Sequence, residues 1–447
     1  MKLKHALGLE GGEAVAFVGA GGKTSAMFEL AAELAPPVLL STTTHLGAWQ
    51  AHLADQHHVI TSGEEFEKID FRNAKTALLT GPVSTDQRLS GLDYSTVDAI
   101  YGYCRAHGYS LLIEADGARQ RPLKAPADYE PVIPDWADQV VVMAGLGGLG
   151  NALNSASVHR PEIFAQLAGL RLVEEIHSTH LAQVLRSPSG GLKNIPEDAS
   201  RILFLNQAEG GIRKAHGARL ANRLVDVFDR VLIGSLKQGH DDGPIFSAHS
   251  QTAGIILAAG SSERLGQPKQ LLDWRGVPFV RQITHTAISA GLAPLIVVTG
   301  SDRVMVEEAL VGLPVACVHN PEWAAGQSSS MRVGLASLPT RCDRVMLLLS
   351  DQPQISTPLI RGLIERHDQQ RAPITAPMMR ERRGNPVLFG KETFKVLQMV
   401  SGDQGGRAVF NKFKVDTIPW VDDRALLDVD QEGDYDRLIR AYFEFIK

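Results

Sequence analysis

Two short stretches of this chain carry residues whose types and spacing suit triphosphate chemistry. In Gly19-Ala20-Gly21-Gly22-Lys23-Thr24-Ser25 the glycines let backbone N–H groups converge on an anion, the lysine offers charge to β and γ phosphates, and a hydroxyl can reach a divalent cation. The stretch departs from the pattern G-x-x-x-x-G-K-[ST], which needs glycine at 17, where Phe17 stands. A compact amide nest remains open to it. In Leu257-Ala258-Ala259-Gly260-Ser261-Ser262, followed by Arg264, Gly266 and Lys269, a glycine turn with small hydroxyls precedes two cations suited to a departing pyrophosphate.

Phosphoryl and nucleotidyl transfer depend on positioning and charge neutralisation, so acids able to hold a cation are also required. Leu347-Leu348-Leu349-Ser350-Asp351 puts Asp351 just past a buried apolar run, where open α/β sheets bind ligands. Asp428-Val429-Asp430 offers a second oxygen, and Asp351 with Asp430 is the expected Mg²⁺ pair. In the first half, Leu111-Leu112-Ile113-Glu114-Ala115-Asp116-Gly117 has the apolar run and trailing acids of a strand that serves a phosphate loop, and Asp116 is expected in the nucleotide site. Ser41-Thr42-Thr43-Thr44 follows another apolar run and could contact phosphate or metal, while Asn206-Gln207-Ala208-Glu209 is a faint echo of a base-reading loop.

Such residues need parallel strands behind them. Val38 to Leu40, Leu111 to Ile113, Val140 to Met143, Ile202 to Leu205, Val231 to Ile233, Leu295 to Val298 and Val345 to Leu349 are runs rather than alternations, as expected of strands covered on both faces. Each glycine loop follows such a run and precedes a helical pattern, so each should open its own domain. Polar residues from Leu236 to Thr252 read as a connection, which puts the boundary near 248 and the domains at 1–247 and 248–447. With 447 residues, 44 % apolar and 21 % charged, the chain has the composition of a globular protein. A net charge of −5 gives no broad field for nucleic acid. Cys104, Cys317 and Cys342 share no metal-like spacing, and for His57-His58 and His45 no third ligand appears at regular spacing. No apolar run approaches a membrane span and no secretory leader is visible, so a cytoplasmic, reducing setting is expected.

The second half resembles the MocA-like molybdenum cofactor cytidylyltransferases of the MobA-like nucleotidyltransferase fold. The resemblance rests on Leu257 to Lys269, Val297-Val298-Thr299-Gly300, Asn320 to Arg332, Asp351-Gln352-Pro353, Gly384 to Phe389, Gly402 to Arg407 and Asp428 to Tyr435. It implies CTP and Mo-molybdopterin as substrates, Mg²⁺ as cofactor, Arg264, Lys269 and Asp351 as catalytic residues, and Thr299 beside the loop in the nucleotide site. Ala259 stands where related guanylyltransferases usually carry glycine, which favours cytidine. Asn385 stands where the family commonly has histidine, and Leu265 where it usually has methionine. A sugar or alditol phosphate as acceptor, or a carrier that binds the finished dinucleotide without turnover, are the competing readings.

The first half resembles the YqeC family, described as accessory to selenium-dependent molybdenum hydroxylases. The matching residues are the 19–24 loop, Thr42-Thr43-Thr44, Glu114 to Pro126, Glu130 to Pro134 and His159-Arg160-Pro161-Glu162. ATP or GTP is the candidate occupant of its loop, and an apo molybdenum hydroxylase the candidate partner. The expected fold is therefore α/β in two domains: a P-loop-NTPase-like parallel domain, then a Rossmann-like nucleotidyltransferase domain.

Overall fold

Runs such as Val140–Met143 are buried throughout, because helices on both faces leave neither side of the strand in water. The computed structural model describes residues 1–84, 87–237, 242–262 and 265–443, with the backbone alone at 404, 432 and 443. The chain divides into two units, Met1–His249 and Ser250–Lys447.

The first unit is built on strands β1 (Ala14–Gly19), β2 (Val38–Thr42), β3 (Gln56–Val59), β4 (Thr76–Thr80), β5 (Ser110–Glu114), β6 (Gln139–Gly145), β7 (Ser200–Asn206), β8 (Arg230–Gly234) and β9 (Ile245–His249). Their order is β9-β8-β7-β6-β1-β5-β2-β4-β3. Every pairing is parallel except β8 with β9. β1 lies mid-sheet and alternates its side chains between two cores, Ala16 and Val18 to one and Val15 and Phe17 to the other. Helices α1 (Lys23–Glu33), α2 (Tyr94–His107) and α3 (Gly210–Leu224) follow β1, β4 and β7 in the chain.

Residues 245–249 correct the reading of that stretch as plain connection. They form an edge strand in which Ile245 and Ala248 are buried while Phe246, Ser247 and His249 are half-buried. An edge strand needs little apolar surface, so its composition resembles a linker.

The second unit has β10 (Ala253–Ala258), β11 (Leu295–Thr299), β12 (Ala316–His319), β13 (Arg344–Leu349), β14 (Ile374–Met379), β15 (Arg382–Arg383), β16 (Val387–Gly390) and β17 (Val415–Pro419). The order is β12-β11-β10-β13-β16-β14-β15, with β17 parallel to β14. β10 is parallel to both β11 and β13, and the antiparallel pairing begins at β16. Helices α4 (Phe279–Ala290), α5 (Gln327–Ala336) and α6 (Thr357–Gln370) follow β10, β12 and β13 in the chain. Both units thus place a glycine loop at the carboxyl end of a central parallel strand, flanked by neighbours whose connections diverge to opposite sides.

Candidate functional site

In the second unit the turn after β10 is fastened by Gln270, which is 1 % exposed. Its Nε2 donates to the carbonyls of Ala258 at 3.2 Å and Gly260 at 2.6 Å. Ser262 adopts a left-handed conformation at φ 55°, and its Oγ accepts the Lys269 N–H at 2.9 Å. A Cβ on Gly300 would stand 2.3 Å from the Ala259 carbonyl, so glycine there lets the loop after β11 press against the turn.

This frame directs Lys269 across the strand ends. Its Nζ lies 2.6 Å from Asp351 Oδ2 and 3.2 Å from Asp430 Oδ1. Burial pulls the ammonium down, but the two carboxylates outweigh it and hold Lys269 above the ordinary lysine range. Asp428 completes the group, with Oδ1 accepting from Gln352 Nε2 at 2.5 Å. Burial, and then the charges of Asp351 and Asp430, push its carboxyl above the usual range. The other oxygen of Asp351, Oδ1, is buried with no hydrogen-bond partner among the described residues.

These groups open on a cleft of about 540 Å³ that Trp323, Gly326 and Gln327 close from the start of α5. Leu257, Ala259, Gly260, Ser261, Ser262, Lys269, Asp351 and Asp430 line it. Thr299 does not: it is fully buried, and its hydroxyl donates to the Val318 carbonyl at 3.5 Å within the sheet. Ala258 also stands behind the wall, contributing its carbonyl to Gln270. Asn385 is absent from the lining, and Arg264 falls outside the described residues. Asp428 was visible only as a neighbour of Asp430. The signal that singles it out is Gln352, directly after Asp351, which reaches across to hold it.

Among the described residues no three acids, histidines or cysteines form a preassembled cation cage, because the carboxylates converge on Lys269. The unpaired Asp351 Oδ1 is nevertheless a free hard-oxygen donor, and Asp430 has a side chain 56 % exposed. Together they fit a Mg²⁺ that keeps most of its waters.

In the first unit Lys23 sits at the start of α1, with a side chain only 4 % exposed. Its Nζ donates to the Gly19 carbonyl at 2.8 Å and pairs with Asp116 at 3.3 Å and Glu114 at 3.7 Å. Thr24 donates its hydroxyl to Glu114 Oε2 at 2.7 Å. Lys124 bridges Asp116 at 2.8 Å and Glu130 at 2.6 Å, and Arg160 caps Glu130 at 2.7 Å. Gly21 holds φ 85°, and a Cβ there would meet the Gly145 nitrogen at 2.5 Å.

A cavity of about 1010 Å³ opens above this loop, lined by Gly21, Gly22, Lys23, Thr24, Ser25 and Glu114 among others. Gly19 and Asp116, expected in the nucleotide site, are not in its wall. The Gly19 N–H donates to both oxygens of Asp116, at 3.1 and 3.0 Å, so that pair is spent on holding the loop from beneath. Glu114 takes the place expected of Asp116.

Each unit thus sets a glycine loop at the carboxyl end of a parallel strand, with a lysine answered by strand-end acids. Residues 15–162 match the YqeC protein family and residues 254–417 the MobA-like NTP transferase domain, and the chain belongs to both families, one in each half. An uncharacterized YqeC protein of Escherichia coli is 32 % identical over 204 residues, 43 % of this chain and 75 % of the relative. A nicotine blue oxidoreductase of Paenarthrobacter nicotinovorans is 32 % identical over 187 residues, 40 % of this chain and 88 % of the relative. A Mycobacterium tuberculosis protein solved in complex with manganese is 30 % identical, with 43 % of this chain aligned to 100 % of that one at a TM-score of 0.38. Among the described residues no helix is long and apolar enough to cross a membrane.

Proposed function

We propose that the second unit transfers a cytidylyl group from CTP to the terminal phosphate of Mo-molybdopterin, giving molybdopterin cytosine dinucleotide and diphosphate. The observation that carries this reading is Lys269 Nζ, shared between Asp351 and Asp430 at the mouth of the cleft. The turn from Ala259 to Ser262 receives the triphosphate, and Lys269 swings from the carboxylates to the charge that builds on the departing diphosphate. Asp351 and Asp430 would hold a Mg²⁺, which would supply positive charge to the triphosphate. No general base is needed, because a phosphate monoester, with a second pKa near 6, is already a nucleophile at neutral pH. Ala259 in the loop supports cytidine, and the MobA-like domain supports nucleotidyl transfer. In the same reading the first unit binds ATP or GTP on Gly21 to Ser25 and Glu114, and the product passes to an apo molybdenum hydroxylase in the cytoplasm.

Diphosphate release from the full chain with Mg²⁺ and Mo-molybdopterin, compared across CTP, GTP, ATP and UTP, tests it. Release with CTP that Lys269→Ala abolishes is expected. Diphosphate release with none of the four nucleotides would overturn it.

A further inference from the structure

The cavity of the first unit is far larger than its phosphate loop needs, and its far wall carries a carboxylate that the phosphate loop does not use. Asn206, at the end of β7, is 4 % exposed and links three loops. Its Nδ2 donates to the Gly21 carbonyl at 2.6 Å, and its Oδ1 accepts the Leu236 N–H at 3.0 Å. The side chain thereby fixes the loops after β7 and β8 against the glycine loop. Three residues on, Glu209 occupies the N-cap of α3 without capping it. Its carboxylate turns away from the free helix amides to accept the Ser235 hydroxyl at 2.5 Å on Oε1, while Arg213 lies 3.2 Å from Oε2. Glu209, Ser235, Asn206 and the glycine loop all line the one cavity.

An acid that forgoes its own helix cap, is aimed by a neighbouring hydroxyl and is only 27 % exposed is held for something else. Each carboxylate oxygen carries two lone-pair sites, so Ser235 and Arg213 orient the group while leaving both oxygens able to accept again. Burial works against ionisation, but the Ser235 hydrogen bond, the residue's own backbone, Lys237 and Arg213 outweigh it and hold the carboxyl below the ordinary glutamate range. Glu209 is therefore an acceptor at neutral pH.

We propose that Glu209 reads the base of the bound nucleotide and restricts the first unit to guanine. The proposal rests on the reading that Gly21 to Ser25 hold the phosphates. Among the four common bases only guanine sets two N–H donors side by side, N1–H and the 2-amino group, matching the two oxygens of a carboxylate. Adenine and cytosine place a ring-nitrogen lone pair there, which an ionised carboxylate repels, and uracil flanks its single N–H with carbonyls. Asn206 keeps the base-reading and phosphate-holding loops in register, so it is a positioning residue.

The test is titration of the full chain with fluorescent GDP, competed by unlabelled GDP, ADP, CDP and xanthosine diphosphate. GDP should bind at least about 100-fold more tightly than ADP, since a carboxylate left facing a lone pair loses both hydrogen bonds. Glu209→Gln should weaken GDP by about tenfold or more and gain xanthosine diphosphate, whose N1–H and C2 carbonyl match a side-chain amide. That gain also shows the variant is folded. Ser235→Ala, which keeps the carboxylate but frees its orientation, should reduce the GDP preference by a smaller factor. Equal affinity for GDP and ADP, or a GDP preference that Glu209→Gln leaves intact, would overturn the assignment while nucleotide binding stands. No binding sensitive to Glu209, Ser235 or Gly21→Ala would overturn the loop reading beneath it as well.

Discussion

If Lys269 and a divalent cation use the same carboxylates, removing the lysine should strengthen cation binding while abolishing catalysis. The Lys269 side chain is 23 % exposed and that of Asp351 12 %, so their contact at 2.6 Å is largely withdrawn from water. At an effective dielectric of 20 and 4 Å separation, two unit charges interact by about 4 kcal/mol gross. Desolvation consumes part of that, and the more exposed Asp430 adds under about 1 kcal/mol, so a net loss of about 1–3 kcal/mol on Lys269→Met is reasonable. That energy is released to a cation that no longer competes with an ammonium, and each 1.4 kcal/mol recovered is tenfold in affinity. Mg²⁺ or Mn²⁺ affinity should therefore rise by about tenfold in calorimetric titration, and the variant's melting temperature should depend on Mg²⁺ more steeply than that of the parent. Diphosphate release should meanwhile fall by about 10²–10³-fold, the usual effect of deleting one group that stabilises developing charge. Unchanged or weaker cation binding in Lys269→Met would show that the ammonium and the metal do not share Asp351, and would remove the basis for the metal assignment.

Other perturbations probe separate parts of the structure. Asp351→Asn should cut nucleotidyl transfer by at least about 10³-fold with little change in circular dichroism, and activity within a few-fold of the parent would be incompatible with its assigned role. Lys23→Met leaves Glu114 and Asp116 facing each other with a side chain that was 4 % exposed now neutral, so urea titration should show a loss of about 3 kcal/mol in the first unit. His367, fully buried beside Thr375, is held well below the ordinary histidine range by burial and then by the charges of Arg344 and Arg371. A base with a lowered folded-state pKa contributes stability that is complete above 6.5 and drains away as pH falls. The second unit should therefore lose up to about 1.4 kcal/mol per pH unit below 6.5, a slope that His367→Gln should flatten.

Much of this was legible in the sequence, for reasons that also explain the gaps. Unbroken apolar runs such as Val345 to Leu349 point to parallel strands, and a residue just past the end of such a run, here Asp351, falls at a ligand-binding edge by topology alone. Thr299 obeys the same rule and still misses the cleft, because a hydroxyl at a strand end can turn back to a neighbouring carbonyl. Spacing places Glu114 at the end of β5 and Asp116 just beyond it, but not which one lines the cavity: Asp116 takes the Gly19 N–H and the Lys124 ammonium beneath the loop, which leaves Glu114 in the wall. Asp428 and Glu209 depend likewise on side chains such as Gln352 and Ser235, far away in the chain.

The two loop lysines look alike in sequence, yet charge balance gives them opposite behaviour. Around Lys23 the buried set is Lys23, Lys124 and Arg160 against Glu114, Asp116 and Glu130, three of each sign. If Lys23 turns to a phosphate, Asp116 keeps Lys124 and Glu114 keeps the Thr24 hydroxyl. Among the described residues around Lys269, the acids Asp351, Asp428 and Asp430 outnumber Lys269 and Arg407, the latter tempering Asp428. Without nucleotide, a divalent cation should therefore stabilise the second unit and leave the first unmoved. Hydrogen exchange with and without Mg²⁺ reads this directly, as slowed exchange around 350–352 and 428–431 and unchanged exchange at 19–25. Protection at 19–25 by Mg²⁺ alone would mean that the first cluster is not balanced as its ion pairs indicate.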